Sequence, residues 1–133
     1  PVYKVHATGN KKDEYERISR ELIQRDNLAA CFSVCARSSV QLGQAMVDTG
    51  KAGKIVAVGS DLFEENVQFL KDGVFTNLIY KKPYSQANLA AKYLTDYLLK
   101  GQRPPQEIMY VGSEVVFQSS LPMYDNGLFR LLR

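Results

Sequence analysis

The chain of 133 residues is long enough for one domain with a core, and its 45% hydrophobic content agrees with that. A net charge of +3, from 17 basic and 14 acidic side chains scattered along the chain, is too weak to mark a nucleic-acid-binding segment. No apolar run is long enough to span a bilayer and no signal-peptide pattern opens the chain, so no membrane partner is expected.

The chain starts at Pro1 without an initiating Met and enters a strand-like run, Val2 to Ala7, almost at once, as a piece of a longer protein would. Thr8-Gly9-Asn10 ends that run. Asn10 can cap the helix that follows, in which Tyr15, Ile18, Leu22 and Ile23 recur at helical spacing. Acids gather early (Asp13, Glu14, Glu16) and bases late, and Glu16/Arg20 and Glu21/Arg25 are i,i+4 pairs on a solvated face.

Leu28 to Val34 reads as a buried strand and Cys35 to Ser39 as the loop at its carboxyl end. A helix follows from about Ser39 to Asp48, with Leu42, Ala45 and Met46 as its apolar stripe and Gly50 at its end. Lys54 to Leu62 holds a short buried strand rich in valine, turning at Gly59-Ser60 with Asp61 at its carboxyl end. Asp61 with Glu64 also fits a capping box for the next helix, marked by Phe63, Val67 and Leu70 and stopped by Gly73. One carboxylate can serve both roles, because a cap engages one oxygen and leaves the other.

Phe75 to Tyr80 is a further strand, with Lys81-Lys82-Pro83-Tyr84 as its exit loop. A long helix from about Ser85 to Lys100 turns Ala87, Ala90, Ala91, Leu94, Tyr97 and Leu98 inward and ends at Gly101 and Pro104-Pro105. Ile108 to Val111 and Glu114 to Phe117 are β-like, and Leu121 to Arg133 is apolar but irregular.

Strands alternating with amphipathic helices predict an α/β fold with a mostly parallel sheet and flanking helices. Right-handed crossovers then bring the loops at 35–39, 59–61 and 80–84 to one sheet edge, where open α/β sheets bind ligands. That edge would gather Arg37, Ser38, Asp61, Lys81 and Tyr84. A carboxylate, a hydroxyl, two cations and an aromatic face suit a polyhydroxylated or anionic small molecule. Arg37 and Lys81 also fit as solvated loop charges, and Tyr80 as a core residue.

Nucleotide-binding glycine motifs and Gly-x-Ser-x-Gly are absent, and the single histidine, His6, has no evident partner. No catalysis, cofactor or metal is expected. Cys31 and Cys35 read as small buried hydrophobes, too far apart along a strand end for an easy disulfide. Unpaired thiols favour a reducing compartment, here the cytoplasm.

Four stretches carry a family likeness: Ala30-Cys31-Phe32 with Leu42-Gly43; Ile55 to Asp61; Leu78 to Ala87 through Lys81-Lys82-Pro83-Tyr84; and Tyr97 to Pro104. Together they resemble the carboxyl-terminal half of the effector domain of LacI/GalR transcriptional regulators, whose fold is shared by type I periplasmic sugar-binding proteins. The resemblance implies a partial, two-lobed, sugar-responsive protein lacking its amino-terminal lobe and any helix-turn-helix. Residues 1–80 would then belong mainly to the second lobe, 84–112 to the first, and 113–133 to a return strand and tail.

By the same likeness the family's ligand-binding Asp falls on Asp61, its Asn-Asp pair near Arg37-Ser38, and its Gln on Lys81. Cations in place of amides point to a sugar acid or phosphorylated sugar. The implied protein is a homodimeric cytoplasmic regulator that binds a sugar-like effector and meets DNA only through its missing part. Binding would shift the population between lobe arrangements. A transport sugar-binding protein and a self-contained flavodoxin-like enzyme or signalling domain are the alternatives.

Overall fold

Three short parallel strands, each followed by a helix, order the chain in a computed structural model that describes residues 1–125. The chain divides into two units, Pro1–Tyr80 with the described residues from Val115 onward, and Lys81–Glu114.

In the larger unit, α1 (Lys11–Gln24) starts at Asn10, whose side-chain oxygen accepts from the amides of Lys12 and Asp13. β1 (Ala30–Phe32), α2 (Ala36–Asp48), β2 (Val56–Ser60), α3 (Glu64–Lys71) and β3 (Asn77–Tyr80) follow. β4 (Glu114–Val116) completes a sheet of order β1-β2-β3-β4, and a single 3₁₀ turn precedes α5 (Pro122–Asp125). β1 runs parallel to β2 with Cys31 opposite Ala57, and β2 parallel to β3 with Gly59 opposite Leu78.

α2 packs on β2, α3 packs on β3, and α1 and α3 flank α2. Leu42, Ala45 and Met46 of α2 and Val67 and Leu70 of α3 meet Ala57, Phe75 and Leu78 in the core. Gly43 and Gly59 exist for this packing. A Cβ on Gly43 would lie 2.4 Å from the Phe69 ring, and one on Gly59 would lie 2.7 Å from a Leu78 methyl.

The predicted α/β architecture is present, with several elements corrected. Val2 to Ala7 forms no strand: its residues are exposed and join no ladder, and an extended segment becomes a strand only against a partner. The strand predicted over Leu28 to Val34 shrinks to Ala30–Phe32 and is not buried, since Phe32 and Val34 are exposed at the sheet's edge. Ile108 to Val111 is not a strand. Of the charge pairs, Glu21–Arg25 forms at 2.6 Å, while Glu16 lies 3.9 Å from Lys12.

The smaller unit is dominated by α4 (Pro83–Lys100), which starts two residues before the expected Ser85 because Pro83 takes its first turn. Gly101 ends it in the left-handed conformation. None of its residues is buried, so the stripe from Ala87 to Leu98 expected to face inward lies open. Among the described residues no helix is long and apolar enough to cross a membrane. Of the predicted tail, 126–133 lie outside the described residues.

Candidate functional site

The parallel pairing of β1, β2 and β3 sends their carboxyl ends to one edge. There the chain after β1 enters α2 and the chain after β2 enters α3, so 33–39 and 60–62 lie side by side. A set of buried polar groups fixes them. The Ser60 amide donates to Ser39 Oγ at 2.8 Å, and the Ser39 hydroxyl donates to the Cys35 carbonyl at 2.9 Å. The Ser60 hydroxyl donates to the Ser33 carbonyl at 2.6 Å.

Asn66, on α3 and fully buried, completes the brace. Its amide nitrogen donates to the carbonyls of Ala36 at 3.1 Å, Ser60 at 3.0 Å and Asp61 at 3.4 Å, tying both strand exits to one side chain. Three carbonyl neighbours define which end of the amide is the nitrogen.

Asp61 sits at the carboxyl end of β2, as expected, but not as a cap. Its φ of 62° is left-handed, and α3 starts after Phe63, which provides no side-chain cap. The capping-box reading is thus corrected: the positive φ carries the chain two residues further before the helix begins. The Asp61 amide donates to the Ile79 carbonyl at 2.8 Å, which anchors the turn against the third strand. Holding a non-glycine residue there stores about 1–2 kcal/mol of strain, a cost met at sites where a side chain must be aimed.

Arg37 lies exposed in the first turn of α2. Ser38 beside it is held by two neighbours, its hydroxyl 3.2 Å from Glu14 Oε2 and 3.3 Å from Cys35 Sγ. Glu14 is buried on α1, and its other oxygen accepts from the amides of Thr8 and Gly9, each at 2.9 Å. One carboxylate therefore joins the start of α1 to the start of α2.

Cys35 is no buried hydrophobe: it caps α2, its sulfur accepting from the Ser38 amide at 3.5 Å. Hydrogen bonds from the Ser38 side chain and amide lower its pKa from the ordinary thiol value. Burial instead pushes the Cys31 thiol up to about 11, its sulfur 3.6 Å from that of Met46. Both thiols are free.

The structure brings Arg37, Ser38 and Asp61 to one edge of the larger unit. Lys81 and Tyr84 belong to the smaller unit. Lys81 follows Tyr80 directly, and its carbonyl accepts from the Gln86 side chain. Tyr84 is exposed on the first turn of α4 rather than in a loop, and Tyr80 is buried, edge-on to Tyr124. Sequence reasoning missed Glu14, Ser33, Ser39, Ser60 and Asn66. Small polar residues recurring just past two buried strands were the available signal. Among the described residues no three metal-ligating side chains come together.

The family model of the periplasmic binding protein domain matches residues 1–103. An ABC transporter solute-binding protein from Agrobacterium vitis with bound D-fucose is 21% identical, with a TM-score of 0.82 over 97% of this chain and 43% of its own. A periplasmic solute-binding protein from Actinobacillus succinogenes with bound D-allose is 19% identical, with a TM-score of 0.75 over 86% and 40%. A carbohydrate-transporter solute-binding protein from Agrobacterium radiobacter with D-arabinose is 17% identical, with a TM-score of 0.76 over 95% and 41%. The chain thus spans less than half the length of these structures. No curated protein sequence matches it.

Proposed function

Because this chain belongs to the periplasmic binding protein domain family, we propose that it is the carboxyl-terminal portion of a two-lobed protein that binds a sugar or sugar derivative without transforming it. The observation that carries this is the fit of 97% of the chain to a solute-binding protein holding D-fucose. On this reading 1–80 serve mainly the second lobe, 84–112 the first, and 113–133 the return strand and tail. Asp61 accepts hydrogen bonds from ligand hydroxyls. Arg37, Ser38, Lys81 and Tyr84 add donors and an aromatic face, and the two cations favour a sugar acid or sugar phosphate over its neutral parent.

Solute capture for a transporter is the first role, supported by what the structural relatives do. Ligand binding would favour one lobe arrangement over another. Calorimetric titration of the full-length protein with D-fucose, D-allose, D-arabinose and the matching acids and phosphates tests it. Saturable binding to any of them supports the reading, and no heat from the whole panel sinks it.

A second role, effector binding in a homodimeric LacI-type cytoplasmic regulator, is favoured by one observation. Cys31 and Cys35 are both free thiols, which suits a reducing compartment. Reading the sequence upstream of Pro1 decides between them: a helix-turn-helix selects the regulator and a signal peptide the transport protein.

A further inference from the structure

Two features that lower stability meet at the strand ends. Asp61 holds a φ of 62°, which a side-chain-bearing residue keeps only when its surroundings impose it. Asn66 is fully buried, yet its Oδ1 has no hydrogen-bond partner among the described residues. A buried acceptor left unpaired destabilises a fold, and in a native structure it calls for a reason. The other buried residues of α3 are chiefly apolar, Val67 and Leu70, so packing alone does not select a polar side chain at 66. The reason lies at the other end of the same amide.

Nδ2 carries two hydrogens and has three carbonyl neighbours. Two of those carbonyls flank Asp61. A peptide unit is planar and carries the Cα atoms on both its sides. The Ser60 carbonyl, 3.0 Å from Nδ2, lies in the plane that enters Asp61, and the amide on that plane's other edge donates to Ile79 at 2.8 Å. The Asp61 carbonyl, at 3.4 Å, lies in the plane that leaves it. Asn66 therefore grips both planes whose relative rotation defines φ and ψ at Asp61. The third carbonyl, that of Ala36 at 3.1 Å, ties the same nitrogen to the first residue of α2.

We propose that Asn66 is a positioning residue for ligand binding: it keeps Asp61 in its left-handed turn and registers that turn against the start of α2. The turn is imposed from α3, not chosen by Asp61 itself. The proposal deepens the sugar reading and rests on it for the ligand, but not for the turn.

The test uses the full-length protein. Asn66→Asp keeps the side-chain shape and removes the N–H donors; Asn66→Ser, shorter and with a single donor, takes its place if the first variant does not fold. Without ligand, backbone NMR couplings and carbon shifts of Asp61 read its φ, which should leave the left-handed region in the variant. An unchanged φ overturns the proposal. Calorimetric titration with D-fucose, D-allose and D-arabinose reads the consequence. Affinity for whichever of these the parent binds should fall at least tenfold. The same substitution added to Asp61→Ala should cost less than threefold more, because no carboxylate remains to be positioned. A merely structural role would cost the same factor in both backgrounds, and that result also overturns the proposal. Were the parent to bind none of the three sugars, the sugar reading would fall, and the φ of Asp61 alone would decide whether Asn66 holds the turn.

Discussion

The Ser39 hydroxyl bridges two strand exits, accepting from the Ser60 amide at 2.8 Å while donating to the Cys35 carbonyl at 2.9 Å. Both serines are buried, so neither bond has water as a substitute. Ser39→Ala leaves the Ser60 amide without a partner and should lower stability by about 1–3 kcal/mol. Urea unfolding followed by circular dichroism measures it. Loss of less than a few tenths would mean that the amide finds another acceptor.

Asp61 is the residue at which stability and binding should separate. Its φ of 62° suits glycine better than any side chain, so Asp61→Gly should stay within about 1 kcal/mol of the parent stability. Sugar affinity of the full-length protein should fall at least tenfold. Asp61→Ala should lose the same affinity and be the less stable of the two. Undiminished affinity in both variants would remove Asp61 from the ligand site.

The two thiols should react in a fixed order. Cys35, with its pKa lowered by Ser38, holds more thiolate at any given pH than an ordinary cysteine. Cys31, raised to about 11, has roughly one thiol in a thousand ionised at pH 8. Iodoacetamide followed by peptide mass mapping should therefore label Cys35 first, and Cys31 chiefly after unfolding. Ser38→Ala should slow labelling of Cys35 by raising its pKa.

Gly59→Ala and Gly43→Ala test the packing beneath the site. The added methyl meets Leu78 and Phe75 in the first case and the Phe69 ring in the second. Each should cost about 1–3 kcal/mol through forced side-chain shifts. The Gly43 variant should be the more tolerant if the half-buried Phe69 swings out. Thermal melts of the two variants provide the comparison.

α4 exposes Leu94, Tyr97, Leu98 and Leu99, each at least half open to solvent or nearly so. Several leucines on one helix rarely stay in water, so the 133-residue chain should self-associate through this helix, as a two-fold dimer. Light scattering over a concentration series checks this. Leu94→Ser with Leu98→Ser should return it to a monomer.

What the sequence made legible was whatever depends on local pattern. The valine-rich run at 55–58 marked β2, Asn10 marked the start of α1, and alternating strands and helices implied the parallel sheet and the common edge at its strand ends. The failures share a cause. Val2 to Ala7 has strand propensity, but a strand needs a partner, and propensity does not report one. Asp61 and Glu64 have capping-box spacing, yet the left-handed turn at Asp61 is set by the anchoring of its amide to Ile79 on another strand. Glu14 read as one of several surface acids, because only the folded chain brings it to Ser38.

The smaller unit enters at Lys81 and leaves at Glu114, and an ion pair between Lys82 and Glu114 pins its two ends together. It is therefore an insertion rather than a continuation. Residues 83–113 could be exchanged for a tight connector without forcing β3 and β4 to re-space, since the gap to be bridged is already closed. Lengthening an insertion whose ends are already joined adds little, because closure entropy grows only about 0.6 kcal/mol per doubling of loop length. The consequence is modularity of folding: exchanging this stretch should leave the strand-end brace of Ser39, Ser60 and Asn66 intact while removing the contact proposed for Tyr84.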